Sequence, residues 1–283
     1  MSSQGHKLHI ASLGSSFGAG PGIPPQLEPL GAMRSGRNYP HLLAQKLDAE
    51  LTDLTVSGAT LLNITKDGQI AALSAQVFPP QIDGLPEDAD IITITAGGND
   101  INYIGQMLSD AWEATGPGMI TSTVMQGVRA VSSVFSSSTS ETPAGLSHEA
   151  LVDRFVEVLD AIHEKAPKAR IYLVEYLAVL GPDTKPGQDI PFDQEKIDYH
   201  RSVASALQKA YSETAERRAE WCEQVPVHEL SLSHALGSQE PWVGGFQLSS
   251  LVRRDKEPIL HPNLEGMKAV AEILYPRVQK TVG

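Results

Sequence analysis

Apolar residues in this chain come in short continuous runs that alternate with longer stretches of helical spacing. Residues 8–13 form a compact apolar run ending at Gly14, which predicts a buried strand. Residues 91–96 (IITITA) are the clearest run: β-branched, bounded by Asp-Ala-Asp and Gly-Gly, and without polar alternation. A continuous run of that kind suits a parallel strand covered on both faces. Weaker runs at 54–56, 170–175 and 225–230 predict three more strands. Between them, Leu42, Leu43, Leu47 and Leu51 recur at helical spacing behind Asn38 and Pro40, a cap and a first-turn proline. Helical patterns also cover 149–165, a polar-faced stretch at 193–222, and 263–278. Strand alternating with helix predicts helices packed on both faces of a parallel sheet. The expectation is one domain over residues 1–283, a three-layer α/β/α sandwich on a sheet of about five strands.

Two stretches break the rhythm. Residues 18–36 are rich in Gly and Pro and read as a loop. Residues 104–147 form an insertion with a dense Ser/Thr patch at 132–142. It fits a solvated, partly helical excursion or a lid over a substrate site. No internal repeat and no cluster with metal-ligand spacing is visible.

Composition narrows the chemistry. The chain has 283 residues, 41% hydrophobic and 20% charged, an ordinary globular balance. Its net charge of -12 disfavours broad nucleic-acid binding and anionic membrane surfaces, both of which need basic patches. A single cysteine, Cys222, allows no intrachain disulfide and reads as a small core residue. The polar start, 1–7, lacks the apolar core of a signal peptide, and no run is long enough for a transmembrane helix. The expected location is the cytoplasm, or the exterior if a leader has been removed.

Four blocks carry the candidate chemistry, each where a strand ends or a helix begins. Parallel sheets bind ligands at the carboxyl ends of their strands, so such residues converge although distant in sequence. In Gly14-Ser15-Ser16-Phe17-Gly18, a serine at a tight turn can present its hydroxyl while its own N–H faces a developing oxyanion. A phosphate loop is a poor match, because the lysine and the three-glycine dinucleotide spacing are both missing. In Ser57-Gly58-Ala59-Thr60, the Gly58 N–H can approach a ligand closely. In Gly97-Gly98-Asn99-Asp100, Asn99 offers uncharged N–H donors, while Asp100 can cap a helix or brace the loop. In His261-Pro262-Asn263, the histidine sits at the entry to the last helix with Asn263 as cap. Taken singly, each block also fits plain turn chemistry. Of the nine histidines, His41, His163, His200 and His234 lie in helical or polar contexts and read as structural.

The ordered set Ser, Gly, Gly-x-Asn-Asp and His-Pro-Asn resembles the SGNH, or GDSL-like, hydrolase family over about residues 8–275, in its lipase/esterase-like branch. The resemblance implies a flavodoxin-like α/β/α fold and a serine hydrolase of carboxylic esters. Ser16 would be the nucleophile and His261 the base. Ser16 N–H, Gly58 N–H and the Asn99 side chain would form the oxyanion hole. No metal or organic cofactor is required, and the partner would be a small-molecule or lipid ester. The chain departs from the family pattern twice. Ser15 stands where the family usually has Asp before the nucleophile. Pro258 stands where the family usually has the acid three residues before the histidine. A main-chain carbonyl orients the histidine in some members, and that of Pro258 is the candidate here. Asp255 and Glu257 are the alternative side-chain acids. Trp242 and Phe246, in Glu240-Pro241-Trp242-Val243-Gly244-Gly245-Phe246, fit either a substrate pocket or loop packing. A carbohydrate acetyl esterase is the alternative activity, disfavoured by only 6% aromatic residues. A non-catalytic binding protein on the same fold is the third reading.

Overall fold

The computed structural model describes residues 7–71, 74–115, 146–246 and 258–283. The Ser/Thr patch at 132–142, the greater part of the 104–147 insertion (116–145), Asp255 and Glu257 lie outside the described residues, whereas 104–114 belongs to a helix.

The strands in chain order are β1 (His9–Gly14), β2 (Glu50–Asp53), β3 (Gln69–Ile70), β4 (Val77–Phe78), β5 (Ile91–Thr95), β6 (Arg170–Val174) and β7 (Cys222–Val225). Five of them form one sheet in the order β2-β1-β5-β6-β7, and every pairing is parallel. The other two, β3 and β4, pair antiparallel as a separate hairpin. The helices are α1 (Ser16–Ala19), α2 (Tyr39–Leu47), α3 (Leu61–Thr65), α4 (Tyr103–Ala114), α5 (His148–Lys165), α6 (Gln194–Arg217), α7 (Val227–Ser231) and α8 (Leu264–Val282). One helical layer contains α2 packed on α8; the other contains α5 packed on α3 and α6, with α4 against α6. The three-layer α/β/α sandwich expected from the alternation is the observed fold.

The reasons are local. All five residues of β5 are buried, so a strand sandwiched between two helical layers carries no polar alternation. Four of the helices start on side-chain caps: Asn38 accepts from His41 N–H, Ser147 from Ala150, Asp193 from Lys196 and Asn263 from Gly266. Each cap is worth about 1 kcal/mol. One apolar cluster runs from Ile10 to Val278 and holds the sheet between its helices.

Two strands differ from the sequence expectation by more than a residue at either end. The second strand is Glu50–Asp53 rather than 54–56. It is an edge strand, partly exposed, so Glu50, Thr52 and Asp53 are tolerated where a buried strand would exclude them. Residues 54–56 continue beside β1 less regularly, with Leu54 N–H donating to Ser12 and Val56 N–H to Gly14. The fifth strand ends at Val225 because Pro226 has no N–H to continue a ladder, and 227–231 is helical. Cys222 is buried at the start of that strand, and burial pushes its thiol up to about 12.

Setting the hairpin aside, the sheet order is the 2-1-3-4-5 of a doubly wound fold. Its topological switch lies between β1 and β5, where chain connections leave in opposite directions and open a crevice at the carboxyl ends. Ser16 follows β1 and Asn99 follows β5.

Candidate active site

Ser16 is the first residue of the single-turn α1, so its N–H belongs to the unpaired end of a helix turn. Its side chain is almost wholly buried, and its Oγ lies 2.9 Å from His261 Nε2. His261 comes from the other end of the chain, just ahead of α8, and is 2% exposed. The other ring nitrogen, Nδ1, lies 2.7 Å from the Ile259 carbonyl oxygen. A carbonyl can only accept, so Nδ1 carries the hydrogen and Nε2 presents a lone pair to the Ser16 hydroxyl. Burial pushes the imidazole down to about 4, partly offset by the Ile259 carbonyl. The ring is therefore neutral at pH 7, as a base must be before it takes a proton.

The orienting carbonyl belongs to Ile259, which corrects the expectation of Pro258. The Pro258 carbonyl instead accepts the His261 backbone N–H at 3.4 Å, closing a turn. Within that turn Leu260 has φ 53°, a left-handed conformation that carries the 259 carbonyl around to the ring. The turn is clamped from outside. Leu260 N–H donates to Gly244, Gly244 N–H donates to His261 O, and Asn263 N–H donates to Trp242 O. Asn263 also donates from its side chain to the Pro241 carbonyl at 2.7 Å.

This clamp explains part of the 240–246 segment. The Trp242 indole stacks flat on His234, with centroids 3.9 Å apart at 4°, while its backbone holds the Asn263 N–H. Phe246 is partly buried against the main core.

Gly58 follows the edge strand in a turn at φ 84°, where a side chain would be strained. Among the described residues, neither Ser16 N–H nor Gly58 N–H is donated to a protein acceptor. Asn99 and Asp100 both reach across to this turn. Asn99 Nδ2 donates to the Ala59 carbonyl at 2.8 Å, which fixes the amide and keeps its second N–H for another acceptor. Asp100 Oδ2 accepts Leu61 N–H at 3.0 Å, and Oδ1 faces Arg154 at 3.4 Å. Burial raises its carboxyl to about 6, against the pull of the Leu61 N–H and Arg154. Of the two roles read for Asp100, the structure gives it the bracing one.

The chain matches the family model of GDSL-like lipases and acylhydrolases over residues 12–269. The chain belongs to the GDSL-like lipase/acylhydrolase family. As a member it is a carboxylic ester hydrolase of the lipase/esterase type. This acylhydrolase is 26% identical to Lipase 2 of Streptomyces coelicolor over 278 residues, covering 94% of this chain and 84% of that protein. Two solved structures share its fold. An extracellular lipase from Streptomyces rimosus has a TM-score of 0.66 at 18% identity, covering 97% of this chain and 100% of that one. Phospholipase A1 from Streptomyces albidoflavus has a TM-score of 0.68 at 15% identity, covering 98% and 100%. No described helix of the acylhydrolase is long and apolar enough to cross a membrane.

Tyr176 is the residue at this site that sequence reasoning passed over. It lies two residues beyond β6, at the same carboxyl edge as the other blocks, and its ring packs 4.3 Å from that of Phe17. Its position after a strand was the available signal, but a single tyrosine there also reads as core.

Proposed function

We propose that this acylhydrolase cleaves small-molecule or lipid esters through an acyl-enzyme on Ser16. One observation carries the reading: the Ser16 Oγ to His261 Nε2 contact at 2.9 Å, with Nδ1 already committed to a carbonyl. His261 accepts the Ser16 proton as Oγ attacks the ester carbonyl, and a tetrahedral oxyanion forms. Ser16 N–H, Gly58 N–H and the remaining Asn99 N–H donate to it. Collapse breaks the bond to the alcohol oxygen, which takes the proton from His261 and leaves. Water then gives a proton to His261 and attacks the acyl carbonyl; collapse breaks the bond to Ser16 Oγ, which takes that proton back from His261, and the acid is released. No step needs a metal or organic cofactor. The lipase and phospholipase among the relatives favour a lipid-like ester over an acetylated carbohydrate.

The test is a chain-length series of p-nitrophenyl esters on the wild type and Ser16→Ala, with a fluorophosphonate adduct mapped by mass spectrometry. Turnover is expected to fall in the variant by at least about a thousandfold, and the adduct to sit on Ser16. Ser15 is a poor rival because its hydroxyl is fully buried and bonded within the protein. An adduct on Ser15, or a fully active Ser16→Ala, would sink the assignment.

A further inference from the structure

Ser15 stands where the family pattern has an aspartate, and it is 0% exposed. Its Oγ lies 2.7 Å from the Tyr176 hydroxyl and 3.4 Å from the Thr95 carbonyl. The Tyr176 ring and hydroxyl also pack closely on the backbone of Gly98. Donor counting fixes the direction of the chain. The Thr95 carbonyl can only accept, so Ser15 donates to Thr95 and the tyrosine hydroxyl donates to Ser15.

Tyr176 thus meets the immediate neighbours of two of the reacting groups. Ser15 precedes Ser16 in the turn after β1, and Gly98 precedes Asn99 in the turn after β5. The approach is close enough to constrain the sequence. A Cβ at Gly98 would lie 2.7 Å from Tyr176 Cζ and 2.9 Å from its hydroxyl. The same tyrosine ring packs on Phe17, whose ring centroid is 5.3 Å from that of His261. One side chain from just beyond the fourth strand of the sheet therefore touches the nucleophile turn, the Asn99 turn and the ring beside the base.

We propose that Tyr176, its hydroxyl bonded to Ser15 and packed on Gly98, is the positioning group that sets Ser16 against Asn99, in place of the missing aspartate. It does not touch substrate. It fixes the distance between the attacking oxygen and the amide that receives the oxyanion, a distance that matters most in the transition state. The inference rests on Ser16 being the nucleophile, which the Ser16→Ala measurement tests separately.

Tyr176→Phe removes the hydroxyl and keeps the ring, so packing on Phe17 is retained. Its kcat per titrated active site is expected to fall about tenfold or more, with KM within about twofold, because misplacement costs the transition state rather than the bound ester. The rate of fluorophosphonate labelling at Ser16 should fall in parallel. Ser15→Ala removes the same bond from the other side. The double variant should therefore cost no more than the worse single one, whereas independent effects would multiply. Retention of kcat within twofold in Tyr176→Phe overturns the proposal, as do multiplying losses. A lower Tm with unchanged kcat per titrated site also overturns it, because the bond is then structural. If Tyr176→Phe fails to fold, Ser15→Ala decides by the same split between kcat and KM.

Discussion

Two histidines of this protein are alike in their burial and differ in what their ring nitrogens face. His200 lies on α6 and is 1% exposed; its Nε2 is 2.9 Å from the Asp110 carboxylate. That is the histidine–carboxylate pair a hydrolase triad would use. Yet Asp110 is shared with Lys196 and Gln106, Phe192 stacks near the His200 ring, and Nδ1 has no hydrogen-bond partner among the described residues. His261 has a plain carbonyl behind it and a serine hydroxyl in front. Burial lowers the pKa of both rings, so a depressed value does not distinguish them. What separates a base from a structural histidine is the group that faces its free lone pair. A carboxylate partner alone does not make a catalytic residue.

The largest expected effect tests that contrast directly. His261→Ala should lower kcat by at least about a thousandfold, since a triad-type nucleophile without its base keeps little beyond oxyanion-hole catalysis. His200→Ala should keep kcat per titrated site within about threefold and lose roughly 2 kcal/mol of stability, the usual cost of removing one partner of a buried polar pair. Active-site titration with thermal melts separates the two. Comparable losses of kcat would break the comparison.

Asn99→Ala comes next. One oxyanion donor is worth about a hundredfold or more in kcat, with a smaller change in KM. A rise in KM alone would make Asn99 a binding residue. The pH profile then separates His261 from an ordinary histidine. With its imidazole held down to about 4, the free base persists well below the usual 6.5. The value of kcat/KM at pH 5.5 is therefore expected within about twofold of that at pH 8. An acid limb centred near 6.5 would contradict the buried, neutral ring. The same shift has a stability sign: as pH falls from 6.5 towards 4, the unfolded chain takes a proton on His261 that the folded chain refuses, so this residue lowers stability across that window.

Much of this arrangement was legible in the sequence because the fold rule and the chemistry coincide. Ser16, Gly58 and Asn99 each follow a strand end or its extension, and His261 leads into a capped helix; parallel topology brings such positions together. Tyr176 obeys the same rule and was missed, because only its hydroxyl partners distinguish it from packing. The two-residue strands at 69–70 and 77–78 are too short to show a period. The choice of Ile259 over Pro258 depends on a left-handed Leu260, with no glycine or asparagine there to announce it.

The smallest expected effect concerns residues 255 and 257, and it bears most closely on the contrast with His200. If His261 needed a side-chain acid as His200 has Asp110, then Asp255→Asn or Glu257→Gln would remove the group that holds the ring and stabilises its charged form. In a comparable triad the change from Asp to Asn costs about ten-thousandfold, because the amide imposes the wrong tautomer. Here the Ile259 carbonyl already takes the Nδ1 hydrogen at 2.7 Å, and no side-chain substitution removes a backbone carbonyl. Both variants are therefore expected to keep kcat within about threefold of the wild type, with the acid limb of kcat/KM unmoved. A loss of a hundredfold or more in either would mean that a carboxylate holds His261 during turnover. The two histidines would then differ only in having a serine in front.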